Sequence, residues 1–101
     1  MIVVQTTTAT LEQSETIAEA LLADRLTACV QITPVRSRYV WKGEVQREDE
    51  HLLLIKTQSA RFEAVRARIR GLHPYETPEI IALSVSEGDP DYLAWVAEST
   101  S

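Results

Sequence analysis

The 101-residue chain holds one cysteine, one methionine, one phenylalanine and three glycines. The single thiol, Cys29, excludes an intramolecular disulfide and any zinc or redox motif built on paired cysteines. A lone thiol fits a reducing compartment. Gly43, Gly71 and Gly88 lie too far apart for a phosphate-cradling loop. Neither a Gly-x-Ser-x-Gly elbow nor a His-Glu-x-x-His helix occurs. No activated nucleophile or acid–base pair can be assembled, which points away from an enzyme. No apolar run approaches the roughly 18 residues of a membrane span. Met1-Ile2-Val3-Val4-Gln5 turns polar at once without a basic stretch before it, unlike a secretory signal, so the expected location is the cytoplasm. Basic residues are also scarce: ten Lys and Arg stand against fifteen Asp and Glu, a net charge of -5. A nucleic-acid duplex or an anionic membrane needs clustered positive charge, so neither is an expected partner. Cations are compatible with this balance.

What is present is ordinary for a globular chain: 45% apolar and 25% charged residues, at a length that fits one domain over residues 1–101. A chain this short buries only roughly 60–70% of its surface alone, so oligomerisation would help it. The β-branched run Ile2–Thr8 reads as a strand. Thr10 and Gln13 form a capping-box pair ahead of a helix whose stripe is Ala18, Leu22 and Leu26, widened by Ile17 and Leu21. A second strand begins at Ala28–Thr33, is interrupted by Pro34, and resumes over Val35–Trp41. Lys42-Gly43-Glu44 is a turn. The return arm enters Leu52–Ile55, a continuous apolar run expected at the sheet centre and covered on both faces. Ser59 is the expected cap of a second helix with the stripe Phe62, Val65, Ile69, Leu72, closed by Gly71 and Pro74. Pro78–Val85 reads as the last strand. Asp89-Pro90 opens a short closing helix. The order predicts an α+β ferredoxin-like βαββαβ sandwich with a long bent hairpin and a short C-terminal helix.

Several side chains could carry chemistry. Cys29 is either a small buried hydrophobe or a soft ligand suited to copper or zinc. His73 lies in Leu72-His73-Pro74-Tyr75-Glu76-Thr77-Pro78-Glu79, where two prolines stiffen the backbone. Its ring either caps the preceding helix or belongs to a site. One cysteine and one or two histidines cannot close a tetrahedral site within a chain; they can share one between subunits. Lys56, at the end of the apolar strand, either binds an anion or pairs with Glu76 or Glu79. Tyr39 and Trp41 alternate on one face of the hairpin, which reads as an interface. His51, beside Asp49 and Glu50, reads as part of a solvated charge run.

Taken together, the segments resemble the CutA family of divalent-cation tolerance proteins. The matching stretches are Leu26–Ile32 with Pro34, Tyr39–Glu44, Glu50 with Leu52–Thr57, His73–Ile81 and Tyr92–Trp95, essentially the whole chain. The resemblance implies a ferredoxin-like fold assembled as a PII-like homotrimer whose hairpins pair across subunits. It also implies tolerance of divalent cations, copper especially, with Cys29 and His73 at the positions proposed for metal ligation. Pro74 stands where some relatives carry a second histidine, and Gln31 stands where Asn is usual. Three readings follow from these residues: a trimeric protein that binds copper or other divalent metals and responds to them; a PII-like sensor of a small anionic or nucleotide ligand in an inter-subunit cleft lined by Trp41, Lys56, Tyr75, Glu76 and Glu79; and a structural or anchoring trimer.

Overall fold

The computed structural model describes residues 1–101 and contains four strands and three helices: β1 (Ile2–Thr8), α1 (Leu11–Ala23), β2 (Cys29–Trp41), β3 (Glu44–Thr57), α2 (Phe62–Leu72), β4 (Ile81–Ser84) and α3 (Pro90–Ser99). The strands form one antiparallel sheet in the order β2-β3-β1-β4. This is the expected ferredoxin-like α+β plan. Alternation sorts each strand onto two faces. Ile2, Val4, Leu53 and Ile55 turn to the helix side and pack with Ile17 and Leu21 of α1 and Val65 and Ile69 of α2. All eight are buried. The opposite face is open in the single chain, with Ile81 and Leu83 about half exposed. Leu52 and Leu54 are half-buried there. The apolar run of β3 is therefore covered on one face only within the chain.

Local structure follows local chemistry, with several corrections. Thr10 caps α1 by accepting the Gln13 amide, as expected. The buried stripe of α1 is Ser14, Ile17, Ala18 and Leu21; Leu22 is 42% exposed. Ser14 takes the extra core place because its hydroxyl bonds that of Thr8. Pro34 does not interrupt β2. It sits opposite His51 on an edge strand, where a missing N–H costs no ladder bond to a further strand. Lys42 and Gly43 both take positive φ, 51° and 81°, between the paired Trp41 and Glu44. This left-handed two-residue turn matches the twist of the strands it joins.

Ser59 does not cap α2. It opens a single 3-10 turn, Ser59–Arg61, and α2 starts without a side-chain cap. The residues before α2 are used otherwise: Gln58 donates to Ala97 O and Thr100 Oγ1, and Arg61 Nε donates to Thr100 O at 2.7 Å. A guanidinium there suits the negative C-terminal end of α3. Gly71 lies inside α2 rather than beyond it; His73 closes the helix, its amide bonded to Ile69 O at 2.8 Å. The last strand is shorter than expected, four residues rather than eight. Arg68 of α2 pairs with Asp24 at 2.9 Å, pinning the two helices at one end.

Beyond Thr8, which faces His51, β1 ends while β2 and β3 continue together to the turn. The result is a two-stranded arm carrying Tyr39, Val40, Trp41 and Val45, all exposed. A lone two-stranded ribbon is marginally stable in water, so this arm depends on what lies beside it.

Candidate functional site

The connection His73–Ile80 lies beside the arm. Its fixing point is His73, 8% exposed. The ring Nε2 lies 2.7 Å from Thr7 O, and Nδ1 lies 3.1 Å from the Tyr75 amide. A carbonyl can only accept and an amide can only donate, so Nε2 carries the proton and Nδ1 accepts. Both ring nitrogens are engaged within the chain. The ring also packs against Tyr75 at 4.6 Å, which aims the phenol at β3. There Tyr75 Oη donates to Glu50 Oε2 at 2.8 Å. One residue on, Glu76 meets Lys42 at the turn, 3.9 Å between exposed groups. The connection thus touches the arm at its base and at its tip.

Between arm and connection lies an open cleft of about 940 Å³. Trp41, Tyr75, Glu76 and Glu79 line it together with Tyr39, Glu48 and Glu50, within one chain rather than between subunits. Its lining includes four acidic residues (Glu48, Glu50, Glu76, Glu79) and two basic ones, Arg36 and Arg38. Desolvation, then the hydrogen bond to Glu50 and the charges of Glu50 and Glu48, push the Tyr75 phenol well above the usual tyrosine range. Desolvation followed by Glu48 raises Tyr39 as well.

Lys56 is not in this cleft. It pairs across the sheet with Cys29 at the far end of β3, and its ammonium lies 5.5 Å from the Tyr92 ring centroid. Neither Glu76 nor Glu79 pairs with it; the partner of Glu76 is Lys42. His51, expected on an exposed arm, is half-buried with its Nδ1 enclosed and unpartnered.

Cys29 is half-buried. Its amide and carbonyl both bond the Thr27 hydroxyl. It is level with Val3 through Lys56, whereas His73 bonds Thr7, four residues along β1. At about 3.3 Å per residue that is roughly 13 Å along the strands, with two strand spacings across. Ligands of one zinc or copper ion, each about 2 Å from it, stand within roughly 4 Å of each other. A single chain does not bring Cys29 and His73 together. No cluster of three His, Cys, Asp or Glu side chains converges as a metal site.

The acidic run around Glu50 read as solvated, yet Glu50 is 4% exposed. The signal was its phase: Glu50, Leu52 and Leu54 alternate onto one face.

Comparison with known proteins gives a consistent picture. Residues 2–99 match the family described as CutA1 divalent ion tolerance protein. A divalent-cation tolerance protein CutA from Thermus thermophilus is 48% identical over 90 residues, covering 88% of this chain and 87% of that one. The mouse Protein CutA is 46% identical over 85 residues, and this chain spans about half of its length, 48%. Among solved structures, the periplasmic divalent cation tolerance protein CutA of Archaeoglobus fulgidus superposes with a TM-score of 0.97 at 34% identity, covering all of both chains. The PII-like protein CutA of Nostoc sp. PCC 7120 gives 0.93 at 36%, covering 100% of this chain and 98% of that one.

Proposed function

The chain belongs to the CutA1 divalent ion tolerance family, and from that premise we propose that it is a non-enzymatic homotrimer that binds divalent cations, copper among them, and takes part in the cytoplasmic response to metal ions. The observation that carries the metal reading is the charge of the cleft: Glu48, Glu50, Glu76 and Glu79 outnumber Arg36 and Arg38. A concave surface of one prevailing sign raises the local concentration of the opposite ion. Cys29 and His73 are the proposed soft ligands, each from a different subunit, because one chain holds them apart. Ligation by His73 has to displace Thr7 O or the Tyr75 amide from its ring. The open apolar sheet face and the arm support the trimer, since unpaired strand edges and exposed Ile81, Leu83, Val40 and Val45 call for a cover. The lone thiol supports the reducing location.

Calorimetric titration of Cu²⁺ and Zn²⁺ into the trimer tests the reading. Saturable heat is expected, lost in Cys29→Ala and reduced in His73→Ala. Heat no greater than buffer, or identical in both variants, counts against the metal assignment. Sedimentation as a monomer counts against the trimer.

A second reading, a PII-like sensor of a small ligand, is favoured by the cleft itself. Its volume lies in the range of small-molecule sites, and Trp41, Tyr75, Glu76 and Glu79 share it. A thermal-shift screen tests it, because a tight ligand stabilises the folded state by mass action.

A further inference from the structure

The two ring nitrogens of His73 are both taken, but their bonds differ in what they mean for ligation. Nε2 donates its proton to Thr7 O at 2.7 Å. A backbone carbonyl on one nitrogen is a common outer partner of a metal-bound imidazole, because it fixes the tautomer and leaves the lone pair of the other nitrogen for the ion. Here that other nitrogen is Nδ1, which accepts the Tyr75 amide at 3.1 Å. Ligation through Nε2 would move the ring proton to Nδ1, where it would meet the Tyr75 N–H, donor against donor. Ligation through Nδ1 gives up the longer of the two bonds and keeps the shorter.

The bond given up is tied to others. Tyr75 is held by its amide on His73 Nδ1, by its ring against the imidazole at 4.6 Å, and by its hydroxyl on Glu50 at 2.8 Å. An ion about 2 Å from Nδ1 takes the place of the amide. The Tyr75 main chain then moves away from the same imidazole that packs its phenol, and the hydroxyl is drawn off Glu50. The neighbouring Glu76 accepts Arg70 at its carbonyl and meets Lys42 at the turn, so the displacement reaches the tip of the arm as well as its base. All of these contacts lie within one chain. They hold whichever faces the trimer covers.

We propose that Tyr75 is a latch on His73: the chain takes a divalent cation on His73 Nδ1 only with the Tyr75 amide released, and that release withdraws the phenol from Glu50. Cation binding and the Tyr75–Glu50 bond oppose each other, and the opposition is reciprocal. This rests on the metal-binding reading. It assigns the ligating atom and the contact through which occupancy is passed to the arm.

The test is a zinc titration of the full chain, labelled with ¹⁵N in histidine and ¹³C at tyrosine Cζ, followed by magnetic resonance. The Nδ1 resonance of His73, not that of Nε2, should take the ligation shift. The Tyr75 Cζ signal, identified by its absence in Tyr75→Phe, should move in the same step. Tyr75→Phe removes the phenol bond, keeps the amide, and should tighten zinc binding several-fold, the worth of one hydrogen bond to a carboxylate. Should that variant fail to fold, Glu50→Gln keeps a weaker acceptor for the phenol and should tighten binding in the same sense. Zinc that shifts Nε2, leaves the Tyr75 signal unmoved at saturation, or binds these variants no more tightly overturns the latch and leaves the metal reading standing. Zinc affinity unchanged in His73→Ala overturns the latch and removes His73 from the ligands. Absence of zinc binding overturns both readings.

Discussion

Tyr75, on the connection after α2, donates its hydroxyl hydrogen to Glu50 of β3 across 2.8 Å, joining residues 25 positions apart. Behind it stands His73, whose ring accepts the Tyr75 amide and donates to Thr7. The side chain that closes α2 thereby sets the wall of the cleft.

That bond predicts an alkaline signature. The Tyr75 phenol is raised above 10.0 by desolvation, by the bond to Glu50 and by the charges of Glu50 and Glu48. The folded chain therefore holds this proton more tightly than the unfolded chain. The stabilisation is fully present below pH 10 and is lost as pH climbs from there through the folded-state value. Phenolate absorbance should show tyrosine ionisation extending above the usual range, and Tyr75→Phe should remove its latest step. A titration in which all three tyrosines ionise together near pH 10 refutes the arrangement.

Tyr75→Phe should also lower stability at neutral pH by about 1–3 kcal/mol, because it leaves the enclosed Glu50 carboxyl without its donor. Denaturant unfolding measures this. A loss below about 0.5 kcal/mol means the bond contributes little to the fold.

His73 should be a neutral ring protonated at Nε2 in the metal-free protein, readable from its ring nitrogen resonances. Zinc binding through His73 must move those resonances, since each nitrogen already has a partner. Unmoved resonances at saturating zinc remove His73 from the ligand set.

The turn supplies a fourth test. At Gly43, φ is 81°. An alanine Cβ meets nothing within 4 Å there, so any cost of Gly43→Ala is backbone strain, about 1–2 kcal/mol. Lys42→Asn should be neutral or stabilising, because Asn accepts the left-handed region more readily. Thermal unfolding midpoints should move in these opposite senses; a shift of the same sign in both points to a different turn.

Helix α1 discriminates neighbours. Leu21 is fully buried and Leu22 is 42% exposed. Leu21→Ala should cost about 2–5 kcal/mol and Leu22→Ala far less in the monomeric unit. Equal losses would mean that Leu22 is covered in the assembly.

Much of the architecture was legible because its causes are local. Thr10, Asp89-Pro90 and Lys42-Gly43 mark element ends through bonds and backbone preferences that reach only a few residues. The errors came where a residue's local preference met a distant partner. Ser59 looks like a cap, but the Gln58–Arg61 stretch is held by the end of α3. Pro34 looks like a break, but on an edge strand its missing amide is harmless. Trp41, Tyr75, Glu76 and Glu79 line one cleft within the single chain, where the expectation was a cleft between subunits. Lys56 does not line it, because register places it beside Cys29 at the other end of the sheet.

By itself the sequence determined the order of elements, the single thiol, the acidic balance and the family resemblance, since each is carried by residue identity and short spacing. Only the tertiary structure decided that Glu50 is enclosed while its neighbour Asp49 is exposed. It also decided that both nitrogens of His73 are occupied, and that Cys29 and His73 stand at separate levels of the sheet. These depend on strand register and on where β1 stops, which bring side chains from distant parts of the chain to one place and set others apart.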